Sequence, residues 1–262
     1  MWTLRAFRGV MSNMSGWQEW LARRERDLRE PYGWLSLVGL HWLDARPTRF
    51  DDVPGEWSAE SGVIRVKASV SDGLRHDGRP LDGVREVKGD AAQFVTYGGI
   101  HVETLIRDGR AGIRLRDPEG PALRAYDGPS VFDYAPEWVV EAEFTPRHPA
   151  KRLVVDSAQP GVKEVLFDVG EVRFTVGGRE QRLTATAGGD TISLVFHDPT
   201  NDDTTAPWRQ LDAPLPVDGH VTLDFNQARN FPSAFTDYGI CPMPPAGNEI
   251  TVPVTAGERR AR

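Results

Sequence analysis

Cysteine is almost missing from the chain. Cys241 is the single one in 262 residues, so no disulfide can form within the molecule and the fold rests on its core. A lone thiol is compatible with a reducing compartment, and the expected location is cytoplasmic. Basic excess is lacking too: 31 Lys and Arg stand against 38 Asp and Glu, a net charge of −7. Nucleic-acid binding needs a basic surface to meet phosphates. No stripe supplies one, because Arg23, Arg24 and Arg26 are interleaved with Glu25 and Asp27. Nucleic acid is therefore excluded as a partner. No run approaches the ~18 apolar residues of a membrane helix. The start, MWTLRAFRGVMSNMSGW, has no apolar stretch of signal-peptide length, so a membrane is excluded as well.

Several motifs are also missing. There is no His-x-His, His-Glu-x-x-His or Cys-x-x-Cys, and no Gly-x-Ser-x-Gly, P-loop or dinucleotide fingerprint. The acidic run from Asp198 to Thr204 fails as a calcium loop, since Asp203 holds the glycine position and Arg209 the bidentate glutamate position. No metal and no cofactor is expected. An acidic surface turn is the expectation for that run.

What is present builds a core. Apolar residues make up 39% of the chain, with eight tryptophans to supply volume. Ser15 and Gln18 form a capping-box pattern ahead of an amphipathic helix carrying Trp17, Trp20, Leu21 and Leu28, which Pro31 ends. YGWLSLVGLHWL follows as a short buried segment. From about residue 48 the period changes to two. Gly98-Gly99, Asp108-Gly109, Gly177-Gly178 and Gly188-Gly189 mark hairpins. A two-residue turn at 108–109 fixes a register: Arg107 opposite Arg110, Glu103 opposite Arg114, His101 opposite Arg116. Val102, Thr104 and Ile106 then oppose Leu115, Ile113 and Ala111 on the apolar face.

The expected fold is mainly β: an antiparallel barrel or sandwich in one or two β lobes, behind an N-terminal amphipathic helix. Residues 1–14 read as disordered or as an upstream start, with Met14 as the working one. A helical segment follows over 15–44. The lobes fall at 45–126 and 127–262, parted within the Pro- and Gly-rich DPEGPALRAYDGPSVFDYAPEW. The second lobe carries a long Pro/Asn-rich C-terminal loop.

Two strands end in polar groups. In TISLVFHDPTNDDTT the apolar face is Ile192, Leu194 and Phe196, which leaves His197 opposite and Asp198 at the strand end. In HVTLDFN, Asp224 and Asn226 leave the core face together. If these strands are neighbours, His197, Asp198 and Asp224 could share a rim and act as catalytic acid–base groups. Thr200, Asn226 and Asn230 would be ligand contacts there. The competing reading is that all of these cap turns by bonding nearby backbone N–H groups. Arg114 and Arg116 offer an anion clamp, against the competing reading of a solvated face paired with Glu103, Asp108 and Asp117. Cys241, between Ile240 and Pro242, reads as a small buried residue rather than a nucleophile.

The blocks WLSLVGLHWL, RDGRAGIRLRDPEGP, LFDVGEVRFTVGGREQRL and FHDPTNDDTT lead to a final one with Asp224-Phe225-Asn226, Ala228, Asn230, Pro232, Ala234-Phe235, Cys241-Pro242, Pro244-Pro245 and Asn248. In this order, from about Trp17 to Glu258, they resemble a bacterial and archaeal family, domain of unknown function 1684. Against the family pattern, Ser233 stands where a second cysteine is usual and His197 where an arginine or lysine is usual. The resemblance implies fold and boundaries and brings no activity with it. It makes the long loop after Phe225 a family feature. Pro232, Pro242, Pro244 and Pro245 stiffen that loop, and rigid polar loops beside a mouth of a β domain are where ligand sites form.

Two functions stay open. One is binding of an unknown small organic molecule, with acid–base catalysis as its extension. The other is a protein-interaction or structural module with no reacting ligand. A homo-oligomer is compatible with either.

Overall fold

In the computed structural model the described residues are 2–89 and 95–261, with side chains described from residue 14 onward. The chain divides into two compact units. Residues 27–126 and 236–240 form one, here called the sandwich unit. Residues up to 26, 127–235 and 241 onward form the other, the single-sheet unit. The expectation for residues 1–14 falls mostly on side chains outside those described.

The sandwich unit holds β1 (Leu37–Trp42), β2 (Thr48–Phe50), β3 (Val53–Glu60), β4 (Val63–Ala68), β5 (Arg75–His76), β6 (Arg79–Pro80), β7 (Gly83–Lys88), β8 (Val95–Tyr97), β9 (Ile100–Arg107) and β10 (Arg110–Arg116). They form a sheet in the order β1-β10-β9-β8-β5-β6 and another in the order β2-β3-β4-β7. Strand alternation explains the packing. Val53, Trp57 and Ala59 of β3 and Ile64 and Val66 of β4 face one way. They meet Val102, Ile113 and Leu115 of the other sheet in a shared core. The β9–β10 register is the expected one: Arg107 with Arg110, Glu103 with Arg114, His101 with Arg116. Asp108 and Gly109 have φ of 51° and 74°, and Gly98 and Gly99 have 51° and 88°, as tight hairpin turns require.

The single-sheet unit contains β11 (Val139–Asp156), β12 (Lys163–Val176), β13 (Arg179–Ala187), β14 (Thr191–Phe196), β15 (Arg209–Pro214), β16 (His220–Asp224) and β17 (Arg229–Asn230). Their order is β16-β11-β12-β13-β14-β15-β17. β16 and β17 are its two edges, so the sheet is not closed into a barrel; of the expected barrel or sandwich, the barrel does not form and the two-sheet packing of the other unit is the sandwich. One face carries the core. Phe225 sits at its centre, with ring centroids of Phe174 at 5.5 Å, Phe196 at 5.7 Å and Trp138 at 6.0 Å.

The N-terminal helix, α1 (Trp2–Leu28), begins earlier than the capping box implied. Ser15 and Gln18 are therefore mid-helix rather than at its start. Trp20 is buried. The Trp17 indole Nε1 donates to the Asn226 carbonyl at 3.1 Å, and its ring lies 5.6 Å from that of Tyr134. Arg24 donates to the Glu258 carboxylate at 2.6 Å and to the Asn230 carbonyl at 2.9 Å. These contacts hold the helix to the single-sheet unit.

Candidate functional site

The polar strand ends of the single-sheet unit form two separate networks. β14 lies between β13 and β15, whereas β16 is an edge strand beside β11. Among the described residues no hydrogen bond links His197 or Asp198 with Asp224 or Asn226, and the neighbouring strands on which the expected shared rim depends are not neighbours in the sheet. Asp198 turns into the interior once β14 has ended. Its Oδ2 accepts from Arg209 Nη2 at 2.8 Å, and both side chains are fully buried. Its Oδ1 accepts from the Thr200 hydroxyl at 2.6 Å and from the Thr200 and Val254 amides at 2.9 and 3.0 Å. Arg209 also donates to the carbonyls of Val254 and Ala256. Burial holds the Arg209 pKa below the usual arginine range, against the opposing pull of Asp198. The expected acidic surface turn is thus anchored from beneath by a buried ion pair that fastens the C-terminal strap, residues 254–258, to β15.

Asp224 and Asn226 act on their own turn. Asp224 Oδ1 accepts from the Asn226 amide at 3.1 Å and from its Nδ2 at 2.8 Å, and Oδ2 accepts from Gln227 at 3.0 Å. Asn226 is buried and bonds both the amide and the carbonyl of Ala135, at 2.9 and 3.0 Å. Asn230 donates to the Arg259 carbonyl at 2.7 Å, and its amide donates to Glu258 at 2.7 Å. His197 Nδ1 lies 2.9 Å from the Pro207 carbonyl, beside the Trp208 ring. Cys241 is buried with Val195 and Phe231.

A cleft with a different composition lies in the sandwich unit. The register of β9 and β10 places Glu103 opposite Arg114, with Arg116 one step along the same face. Arg114 grips Glu103 through Nε at 3.0 Å and Nη2 at 2.8 Å. Arg116 Nε reaches the same carboxylate at 2.9 Å, and its Nη1 donates to the carbonyls of Tyr32 and Gly33 at 3.0 and 2.8 Å. Those carbonyls precede a 3-10 turn, Trp34–Ser36, which lays the Trp34 ring over both guanidinium groups at 5.3 and 5.2 Å. Trp34 remains 41% exposed. Tyr32 stacks on His101 with centroids 3.6 Å apart and planes 3° off parallel. Tyr32, Gly33, Trp34, His101, Glu103 and Arg116 line a cavity of about 500 Å³.

Glu103 and Arg114 are therefore paired as the register implied, and the charged face is solvated only in part: Arg110 beside the turn is exposed, whereas Arg114 is only 4% exposed. Burial alone would push the Glu103 carboxyl up, but Arg114 and Arg116 outweigh it and hold it below the usual range. Burial, then the charge of Arg116, lowers the His101 pKa. Burial also lowers that of Arg116, against Glu103 and with repulsion from Arg114. Sequence periodicity marks the arginines, Glu103 and His101. It misses Tyr32 and Trp34, because YGWLSLVGLHWL reads as uniformly buried, whereas Leu35, Ser36 and Leu37 are buried and Trp34 is turned out. Among the described residues no cluster of His, Cys, Asp and Glu could hold a metal ion, and no helix is long and apolar enough to cross a membrane.

A family profile described as protein of unknown function (DUF1684) matches residues 124–259, just over half of the chain. The chain belongs to the DUF1684 family. The match covers the strands of the single-sheet unit, including the Asp198–Arg209 pair and the Asp224–Asn226 turn. The sandwich unit's cleft lies before the matched residues, although the blocks that carried the resemblance extend across it. Among solved structures, the chain is similar to the solution NMR structure of an uncharacterized protein from Haloarcula marismortui. The identity is 29% over 55% of this chain and 82% of that one, with a TM-score of 0.46. No curated protein matches.

Proposed function

We propose that this DUF1684 protein binds a small organic molecule, and that the cleft of Tyr32, Trp34, His101 and Arg116 receives it. One observation carries the reading: the partly exposed Trp34 ring is held over a largely buried Arg–Glu–Arg cluster, and Trp34, Glu103 and Arg116 line a cavity of about 500 Å³. Ligand sites of this size combine aromatic walls with a few fixed polar groups. Trp34 is held in place by the backbone bonds of Arg116, so the wall is preformed. Within the cleft, His101 supplies a group able to take up a proton, its lowered pKa keeping it neutral at neutral pH. Asp198 and Asp224 are less suited, because their oxygens are already bonded within the fold. The test is native mass spectrometry of the purified protein beside its Trp34→Ala variant. A co-purifying small molecule retained by the first and lost by the second supports the reading. Equal retention by both places the ligand elsewhere.

A second reading, an interaction module, is favoured by a different feature. On one face of the β11–β12 ribbon Val154 stands opposite Val165 and Phe167 opposite Arg152, with Val154 and Phe167 about half exposed. Exposed apolar patches of this kind mark contact surfaces. Sedimentation velocity of the protein and of Phe167→Ser tests it: a self-associated species lost on substitution favours the module.

A further inference from the structure

We propose that the cleft selects a planar organic anion, an aromatic or heteroaromatic carboxylate, with the acid group directed to Arg116 and the ring laid on Trp34. This inference rests on the ligand-binding reading of the cleft and adds the chemical class.

Three observations carry it. The first is charge. Arg114 and Arg116 converge on a single carboxylate, Glu103, so the cluster keeps one positive charge in excess. A cationic ligand would meet that charge at short range, whereas an anion would neutralise it. The second is donor geometry. A guanidinium has about five N–H groups. Arg116 Nη1 serves the two carbonyls of Tyr32 and Gly33. Nε faces Glu103 Oε2, and Nη2 lies 2.8 Å from the same oxygen. Among the described residues the second Nη2 N–H meets no hydrogen-bond acceptor, and Arg116 itself lines the cavity. Its carbonyl bonds hold the guanidinium in position, so an acid group meets a preset donor. The third is shape. One face of the Trp34 indole covers the guanidinium groups, and the ring is still 41% exposed. Beside it the Tyr32–His101 pair forms a flat slab. Both surfaces favour stacking of a flat ring over packing of an aliphatic chain. Small spherical anions would use the charge and waste the aromatic walls.

The electrostatics agree: partial burial lowers the Arg116 pKa, against the opposing pull of Glu103 and with repulsion from Arg114.

The experiment is isothermal titration calorimetry of the full chain with three probes of one shape: 2-naphthoate, 2-naphthamide and 2-naphthylmethylamine. Acetate is the control for charge without a ring. Expected is binding of the naphthoate, with the amide weaker by about tenfold or more, as loss of a charge-assisted bond implies, and with acetate and the amine silent. Trp34→Ala, a change at an exposed side chain, should weaken naphthoate by about tenfold through lost stacking. Arg116→Lys keeps the charge and removes the fork, and should weaken it by a similar factor. Amide or amine binding as tight as the acid, and abolished by Trp34→Ala, overturns the anion inference while the cleft stands as a ligand site. Naphthoate binding unaffected by both substitutions overturns the inference and the cleft together. Absence of binding by all four probes overturns the inference; the cleft reading then stands or falls on the co-purified molecule of the mass-spectrometric test.

Discussion

Asp198 and Asp224 end strands in similar sequence settings, yet their surroundings set very different costs for losing them. Asp198 is locked to Arg209, and both side chains are fully buried. Replacing Asp198 with alanine leaves a buried, uncompensated guanidinium, and should cost about 3–5 kcal/mol in chemical denaturation. Asp224→Ala removes a turn cap from a partly exposed group and should cost about 1 kcal/mol. Asn226→Ala should fall between them, at roughly 2 kcal/mol, because the buried Ala135 amide and carbonyl would lose their partner. Equal costs for Asp198 and Asp224 would contradict the distinction. None of the three should alter ligand affinity of the surviving folded protein. The cleft adds a pH dependence. The folded-state pKa of His101 is depressed, by burial and then by Arg116. On acidification the unfolded chain takes up that proton first. The stability His101 contributes is thus present above about pH 6.5, the ordinary histidine value, and is lost as pH falls through the lower folded value. Glu103, also depressed, adds a loss of the same sign at lower pH. Melting temperature should therefore drop on acidification from pH 7, and His101→Gln should flatten the first part of that drop.

Elements differ in how openly the sequence declares them. The β9–β10 hairpin is legible to the residue, because a two-residue turn with positive φ at Asp108 and Gly109 permits one register. The helix is legible as an amphipathic element, through Trp17, Trp20 and Leu28, but its start is not. Ser15 and Gln18 match a cap pattern that the longer helix bypasses, as tertiary context allows for a local signal. Its packing role is set by Trp20, buried at 8% exposure. Trp20→Ala should cost about 3–5 kcal/mol by lost burial and cavity formation. An unchanged denaturation midpoint would show that the helix adds nothing to the single-sheet unit. Pairings between distant strands carry no local signal. Nothing local says that β14 and β16 are kept apart in the sheet order, and the expected rim depended on their being neighbours.

For the whole molecule, a chelator should leave the melting temperature unchanged, since no cluster of metal-ligating side chains exists among the described residues. A fall of several degrees in EDTA would reveal a stabilising ion acting by mass action. Local sequence signals suffice for the mainly β class, the antiparallel hairpins, the lack of metal and cofactor motifs, and the charged face of one hairpin. Those properties depend on period-two alternation, turn chemistry and residue type, all of which act over a few neighbours. Long-range packing is what keeps the sheets open, buries Asp198 on Arg209, and turns Trp34 outward over Arg114 and Arg116. Each of these joins residues from separate elements: Asp198 meets the strap at Val254, and Trp34 meets arginines about eighty positions away. Such contacts form only when the packed core brings the elements together, and no periodicity in a short window encodes them.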